Sequence, residues 1–168
     1  MKVLMVIAQK DFRDEEFFEP REVFIKNGTE VKVASQKLTE ARGRLGGTTI
    51  PDVTIGEAEA QDFAAVIFVG GPGAAVYLND SAAHKLARDF YAAGKIVAAI
   101  CLGPSILANA GLLRGVRATC TPSEQENLKM RGAEYTGAPV EVDGKIVTAC
   151  GPEASREFGK KIVELLKQ

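Results

Sequence analysis

The residues best suited to chemistry lie in Ala98-Ala99-Ile100-Cys101-Leu102-Gly103-Pro104-Ser105. An apolar, strand-like run stops at Cys101, and Pro104 suits the first turn of a following helix. Gly103 relieves crowding where the chain reverses. This is the layout of a nucleophile elbow with cysteine in place of serine. Such a turn pushes the thiol out of the sheet, and the helix N-terminus then favours a thiolate, lowering its pKa. The alternative is that Cys101 is a small buried hydrophobe, a common fate of free cysteine. The elbow setting favours the nucleophile.

Two further segments could complete a site. Val69-Gly70-Gly71-Pro72-Gly73 permits a close backbone turn whose N–H groups face an oxyanion, although by itself it reads equally as a plain loop. It matches neither the dinucleotide G-x-G-x-x-G pattern nor a phosphate-binding P-loop. The stretch from Gln9 to Glu19 carries Asp11, Asp14, Glu15, Glu16 and Glu19. Asp14, Glu15 and Glu16 read as a mostly solvated helix start favoured by the dipole. One of these carboxyls, reaching the neighbouring strand end, would hydrogen-bond the cysteine sulfur. Cys120 and Cys150 each end an apolar run and read as buried hydrophobes, with no spacing that supports pairing to an oxidised Cys101. His84, the only histidine, reads as a surface or packing residue.

The elements that must position these groups follow from the hydrophobic pattern. Continuous apolar runs at Val3–Ala8, Val31–Ala34, Ala64–Val69, Ile96–Ile100 and Val116–Cys120 predict parallel strands covered on both faces. Between them, Glu15–Asn27, Ser81–Ala93, Ser105–Ala110 and Glu124–Met130 show helical spacing of apolar residues. Gly28, Gly94 and Gly111 fall where helix C-caps belong, and Asn79-Asp80-Ser81 supplies N-cap candidates. Arg44–Thr49 predicts a small hairpin. Val140–Thr148 predicts another, turning at Asp143-Gly144. Ala154–Leu166 closes the chain as an amphipathic helix. The pattern is a doubly wound, mostly parallel α/β sheet sandwiched by helices, in which function sits at the carboxyl ends of the strands.

Length and charge narrow the classes. The 168 residues predict one domain, spanning 1–168, with a core that needs no staples. A net charge of -1 argues against a nucleic-acid or membrane surface. The first apolar run is too short for a secretory signal, and no stretch approaches a membrane span, so a cytoplasmic location is expected. Three cysteines without a C-x-x-C pair support neither a disulfide framework nor a structural zinc site; no metal and no cofactor is expected.

Ala-Ile-Cys101-Leu-Gly-Pro, the Val-Gly70-Gly71 turn and Phe12-Arg-Asp-Glu-Glu16-Phe together resemble the ThiJ/PfpI superfamily, across Lys2 to Leu166. The resemblance implies a flavodoxin-like fold of the class I glutamine amidotransferase type. It also implies that Cys101 is the nucleophile or redox centre, and that Glu16, four residues before Pro20, hydrogen-bonds it. Gly70 and Gly71 form the turn, with backbone N–H groups of Gly71 and Leu102 as oxyanion donors. Arg44 lines the pocket, and the protein is a homodimer or higher homo-oligomer.

Departures from the family pattern decide between activities. Family peptidases carry histidine directly after the cysteine, where this chain has Leu102. They carry an acidic residue where it has Ala75, and another branch has histidine where it has Thr121. No Cys-His dyad can be assembled, and a general base typically contributes ~10²–10⁴-fold. PfpI-type peptidase is therefore the lesser alternative. A thiolate beside a protonated Glu16 suits attack on a small carbonyl compound or its protein adducts, as in glyoxalase or deglycase chemistry. A non-enzymatic redox sensor or chaperone is the other alternative.

Overall fold

The apolar runs are rich in Val, Ile and Ala, which pack well on a pleated surface buried on both sides. In a computed structural model describing residues 1–168, the chain begins with β1 (Lys2–Val6), β2 (Lys10–Phe12), α1 (Asp14–Lys26) and β3 (Glu30–Ser35). There follow β4 (Ala41–Gly43), β5 (Thr48–Thr49), β6 (Val53–Thr54), β7 (Ala65–Phe68), α2 (Ser81–Ala92), β8 (Ile96–Ile100) and α3 (Gly103–Asn109). The remainder comprises β9 (Arg117–Ala118), α4 (Gln125–Met130), β10 (Glu134–Tyr135), β11 (Val140–Asp143), β12 (Ile146–Ala149) and α5 (Ser155–Leu166).

Seven strands form the main sheet in the order β11-β12-β8-β7-β1-β3-β6. All neighbours are parallel except the β11–β12 hairpin. Successive side chains of β1 go to opposite faces, as a strand requires. Leu4 and Val6 pack with Phe90, Ile106 and Leu107 of α2 and α3. Val3 and Met5 pack with Phe17, Phe24, Phe158 and Ile162 of α1 and α5. The fold is thus the doubly wound α/β sandwich expected from the pattern, and flavodoxin-like as the resemblance implies. Because β1 lies between β3 and β7, the connections leave its two sides in opposite directions. That switch point opens a crevice beyond the carboxyl ends of β1, β7 and β8.

Two local expectations are corrected. Val116–Cys120 does not join the main sheet: only β9 forms, pairing in parallel with β10 in a separate two-stranded ladder. The reason is that β12 already pairs with β8 on one side and β11 on the other, leaving no edge. The Thr119 N–H instead donates to Thr148 Oγ1 at 3.0 Å. Asp14 is not solvated either. Only 9% exposed, its carboxylate accepts the N–H groups of Leu45 (2.7 Å) and Gly47 (2.8 Å), tying the β4–β5 hairpin to the start of α1.

Hydrogen bonds to a charged group contribute about 1.5–3 kcal/mol. Asp14→Ala should therefore lower the unfolding free energy by an amount of that order. Chemical denaturation reads the loss, and hydrogen exchange should show faster opening at the Leu45 and Gly47 amides. Unchanged exchange at those two amides would contradict the assignment.

Candidate active site

Cys101 follows β8 directly and adopts φ 64°, a left-handed conformation rare for a residue with a side chain. Such a geometry costs roughly 1–2 kcal/mol and needs support from its surroundings. Support comes from both sides: the Cys101 N–H donates to Ala149 O, and the Thr121 N–H donates to Cys101 O, each at 2.9 Å. The left-handed turn lifts the thiol from the strand end, leaving it half-buried.

Gly70 closes the site from the β7 side. A Cβ at Gly70 would stand 2.6 Å from Glu16 Oε1, 2.6 Å from Ile100 O and 2.7 Å from Cys101 Cβ. The acid and the cysteine therefore flank a single backbone position that only glycine can occupy. Gly71 continues the turn at φ 101°, pressed against Arg13 N and Asp11 O. The Arg13 N–H donates to Gly70 O at 3.0 Å, locking this turn onto the segment leading into α1.

Glu16, in the first turn of α1, is fully buried, and neither carboxyl oxygen has a well-formed hydrogen bond. Burial pushes its pKa up to about 8, against weaker opposing pulls from the Cys101 thiol, Arg13 and the Gly70 backbone. Burial also pushes Cys101 up to about 12, assisted by the negative charge of Glu16 and opposed by the amides of Gly71 and Leu102. This reverses the lowered thiol pKa expected from the helix terminus. The two amides do favour a negative sulfur, but loss of water and a neighbouring carboxyl outweigh them. The resting site holds a neutral thiol beside an acid that ionises near neutrality.

The structure brings Cys101, Glu16, Gly70, Gly71 and Leu102 together. The Arg44 side chain is exposed and forms no ion pair, and its backbone N–H donates to Phe12 O at 2.8 Å. The cation whose charge reaches both Glu16 and Cys101 is Arg13, held by Glu15 through Nε–Oε1 and Nη2–Oε2 contacts of 3.0 Å each. Arg13 was detectable only as one of two cations within the acidic run, the other being Lys10. His84 binds Leu78 O at 2.8 Å and supplies no base to the thiol; Ala75 is exposed on the Pro72–Tyr77 turn. Cys120 is buried as expected, but Cys150 is half-exposed, with its thiol donating to Glu153 Oε1 at 3.4 Å. No group of three or more His, Cys, Asp or Glu side chains is placed to hold a metal ion.

A left-handed cysteine elbow beside a buried carboxyl, at the switch point of a doubly wound sheet, defines a cysteine-elbow α/β protein. The chain belongs to the DJ-1/PfpI family, whose model matches residues 1–165. It is 34% identical to a deglycase of Pyrococcus horikoshii, over 99% of this chain and 100% of that protein. It is 26% identical to a glutathione-independent glyoxalase of Caenorhabditis elegans, over 98% of this chain and 88% of that one. The crystal structure of a ThiJ/PfpI domain protein from Brachyspira murdochii superposes with a TM-score of 0.97 at 37% identity, covering 99% of this chain and 96% of that one.

The raised Glu16 pKa links to stability. The folded state keeps the proton that the unfolded chain releases, so stability falls as pH rises from about 4.5 to about 8. Glu16→Gln removes the ionisable group and should flatten that decline. Denaturation midpoints measured across this window for both proteins check it; parallel curves would show that Glu16 does not titrate there.

Proposed function

We propose that the chain is a cysteine-dependent enzyme acting on reactive aldehydes or their protein adducts, of glyoxalase or deglycase type. The observation that carries this reading is the convergence of Cys101 and Glu16 on Gly70, with Glu16 ionising near neutral pH. A general base serves best when its pKa lies near the working pH. The deglycase and glyoxalase names of the relatives add support.

In the active form Glu16 is a carboxylate and Cys101 a thiol. As the sulfur attacks the carbonyl carbon, its proton passes to Glu16 and a C–S bond forms. The carbonyl electron pair moves to oxygen, facing the Gly71 and Leu102 N–H groups. Glu16 then returns the proton to that oxygen, completing a hemithioacetal. With a 1,2-dicarbonyl, the Glu16 carboxylate next removes the hydrogen of the former aldehyde carbon and delivers it to the neighbouring carbon. The first carbon is oxidised to a thioester and the second is reduced to an alcohol. Water then breaks the C–S bond, releasing a 2-hydroxy acid and restoring the thiol. No external oxidant or reductant enters.

Peptidase chemistry is disfavoured, because Leu102 and Ala75 stand where that activity uses histidine and an acid. A single domain, a cytoplasmic location and a homodimer or higher oligomer go with the proposed reading. Its partners are small carbonyl compounds or protein adducts rather than nucleic acid or membrane. No helix is long and apolar enough to cross a membrane.

Methylglyoxal consumption with 2-hydroxy acid formation is the direct test. The wild-type rate should rise with pH through about 8. Cys101→Ala should abolish turnover, and Glu16→Gln should lower kcat by about 10²–10⁴-fold and remove the pH rise. Equal turnover by Cys101→Ala would overturn the reading. Selective peroxide oxidation of Cys101 without aldehyde turnover would establish a redox sensor instead.

A further inference from the structure

Apart from the residues of the proposed reaction, a second cysteine follows the strand that pairs with β8. Strands β8 and β12 run parallel in strict register up to Ile100 opposite Ala149. The Cys101 N–H continues this ladder by donating to Ala149 O at 2.9 Å. The residue that directly follows each strand is a cysteine, Cys101 after β8 and Cys150 after β12. Neighbouring strands lie about 4.8 Å apart, and a disulfide joins Cα atoms about 4.4–6.8 Å apart.

Facing and access agree with this adjacency. Cys101 and Cys150 both pack against the apolar layer beneath α1 and α5, and both are half-exposed. Cys120 lies fully buried in the opposite layer. Each of the paired thiols also has its own carboxyl: Glu16 beside Cys101, and Glu153 accepting from Cys150 at 3.4 Å.

We propose that Cys150 is the resolving thiol for Cys101, so that the pair reduces hydroperoxides and closes to an intramolecular disulfide. In the first step Cys101 gives its proton to Glu16 and attacks the peroxide. An S–O bond forms, the O–O bond breaks, and the departing oxygen takes the proton and leaves as water or an alcohol. In the second step Cys150 gives its proton to Glu153 and attacks the sulfenic sulfur. The S–S bond forms, the S–O bond breaks, and the hydroxide takes the proton and leaves as water. Two thiols lose two electrons and the hydroperoxide gains them; a small dithiol reductant reverses the change. The disulfide ties up the Cys101 sulfur, holds the aldehyde site off, and keeps Cys101 from the irreversible sulfinic state.

The test is limiting hydrogen peroxide on the full chain, followed by alkylation of free thiols, intact mass and non-reducing peptide mapping. Wild type and Cys120→Ser should both yield a Cys101–Cys150 linked peptide that a dithiol reopens. Cys150→Ser should instead yield Cys101 sulfenic acid, trapped by dimedone, and several-fold more sulfinic acid at the same dose. Sulfinic acid at equal rates in wild type and Cys150→Ser would overturn the proposal. A link from Cys101 to Cys120, or a link between chains, would overturn it too. The readout is covalent and needs no aldehyde turnover, so it stands or fails separately from the proposed activity.

Discussion

Cys101 is held at a left-handed φ of 64°, and much of the surrounding chain is arranged to keep it there. The backbone of the next strand accepts its N–H, and the Thr121 N–H secures its carbonyl. Gly70 presses close enough to exclude any side chain. A strained conformation persists only when its neighbours over-determine it. Here three segments distant in sequence do so, which is why the thiol emerges at one defined point on the switch crevice.

The same closeness governs the electrostatics. Packing a carboxyl and a thiol together, away from water, makes it costly to charge either. One proton is therefore held by the pair well beyond the ordinary carboxylate range, and the carboxyl surrenders it first. Burying an acid without a well-formed hydrogen bond costs stability, and what results is a carboxyl that ionises near neutral pH. The amides of Gly71 and Leu102 contribute the opposite tendency, favouring negative charge at the sulfur and at an oxygen bound beside it. Arg13, fixed by Glu15, lends a positive field from the rim.

Membership of the DJ-1/PfpI family sits alongside a site without histidine. With Leu102 after Cys101 and His84 engaged with Leu78 O, the carboxyl of Glu16, rather than an imidazole, is the titratable group that flanks the thiol. In the proposed reading, one group takes and returns one proton during addition to a carbonyl. Cys150 follows β12, the strand that pairs with the one leading into Cys101.

What the primary structure determined by itself was local. Apolar runs such as Val3–Ala8 and Ile96–Ile100 must be buried strands, and Cys-Leu-Gly-Pro must turn sharply into a helix, because strand burial, Pro and Gly act through adjacent residues. Glu16 and the Gly pair were legible through the family pattern around them. The small β9–β10 ladder, the burial of Asp14 under its hairpin and the charge of Arg13 reaching Glu16 and Cys101 were not. Each depends on which distant segment comes to lie alongside. The sign of the Cys101 pKa shift was misjudged for the same reason. A helix terminus can be read from the chain, whereas desolvation and a facing carboxylate exist only once the strands have been placed.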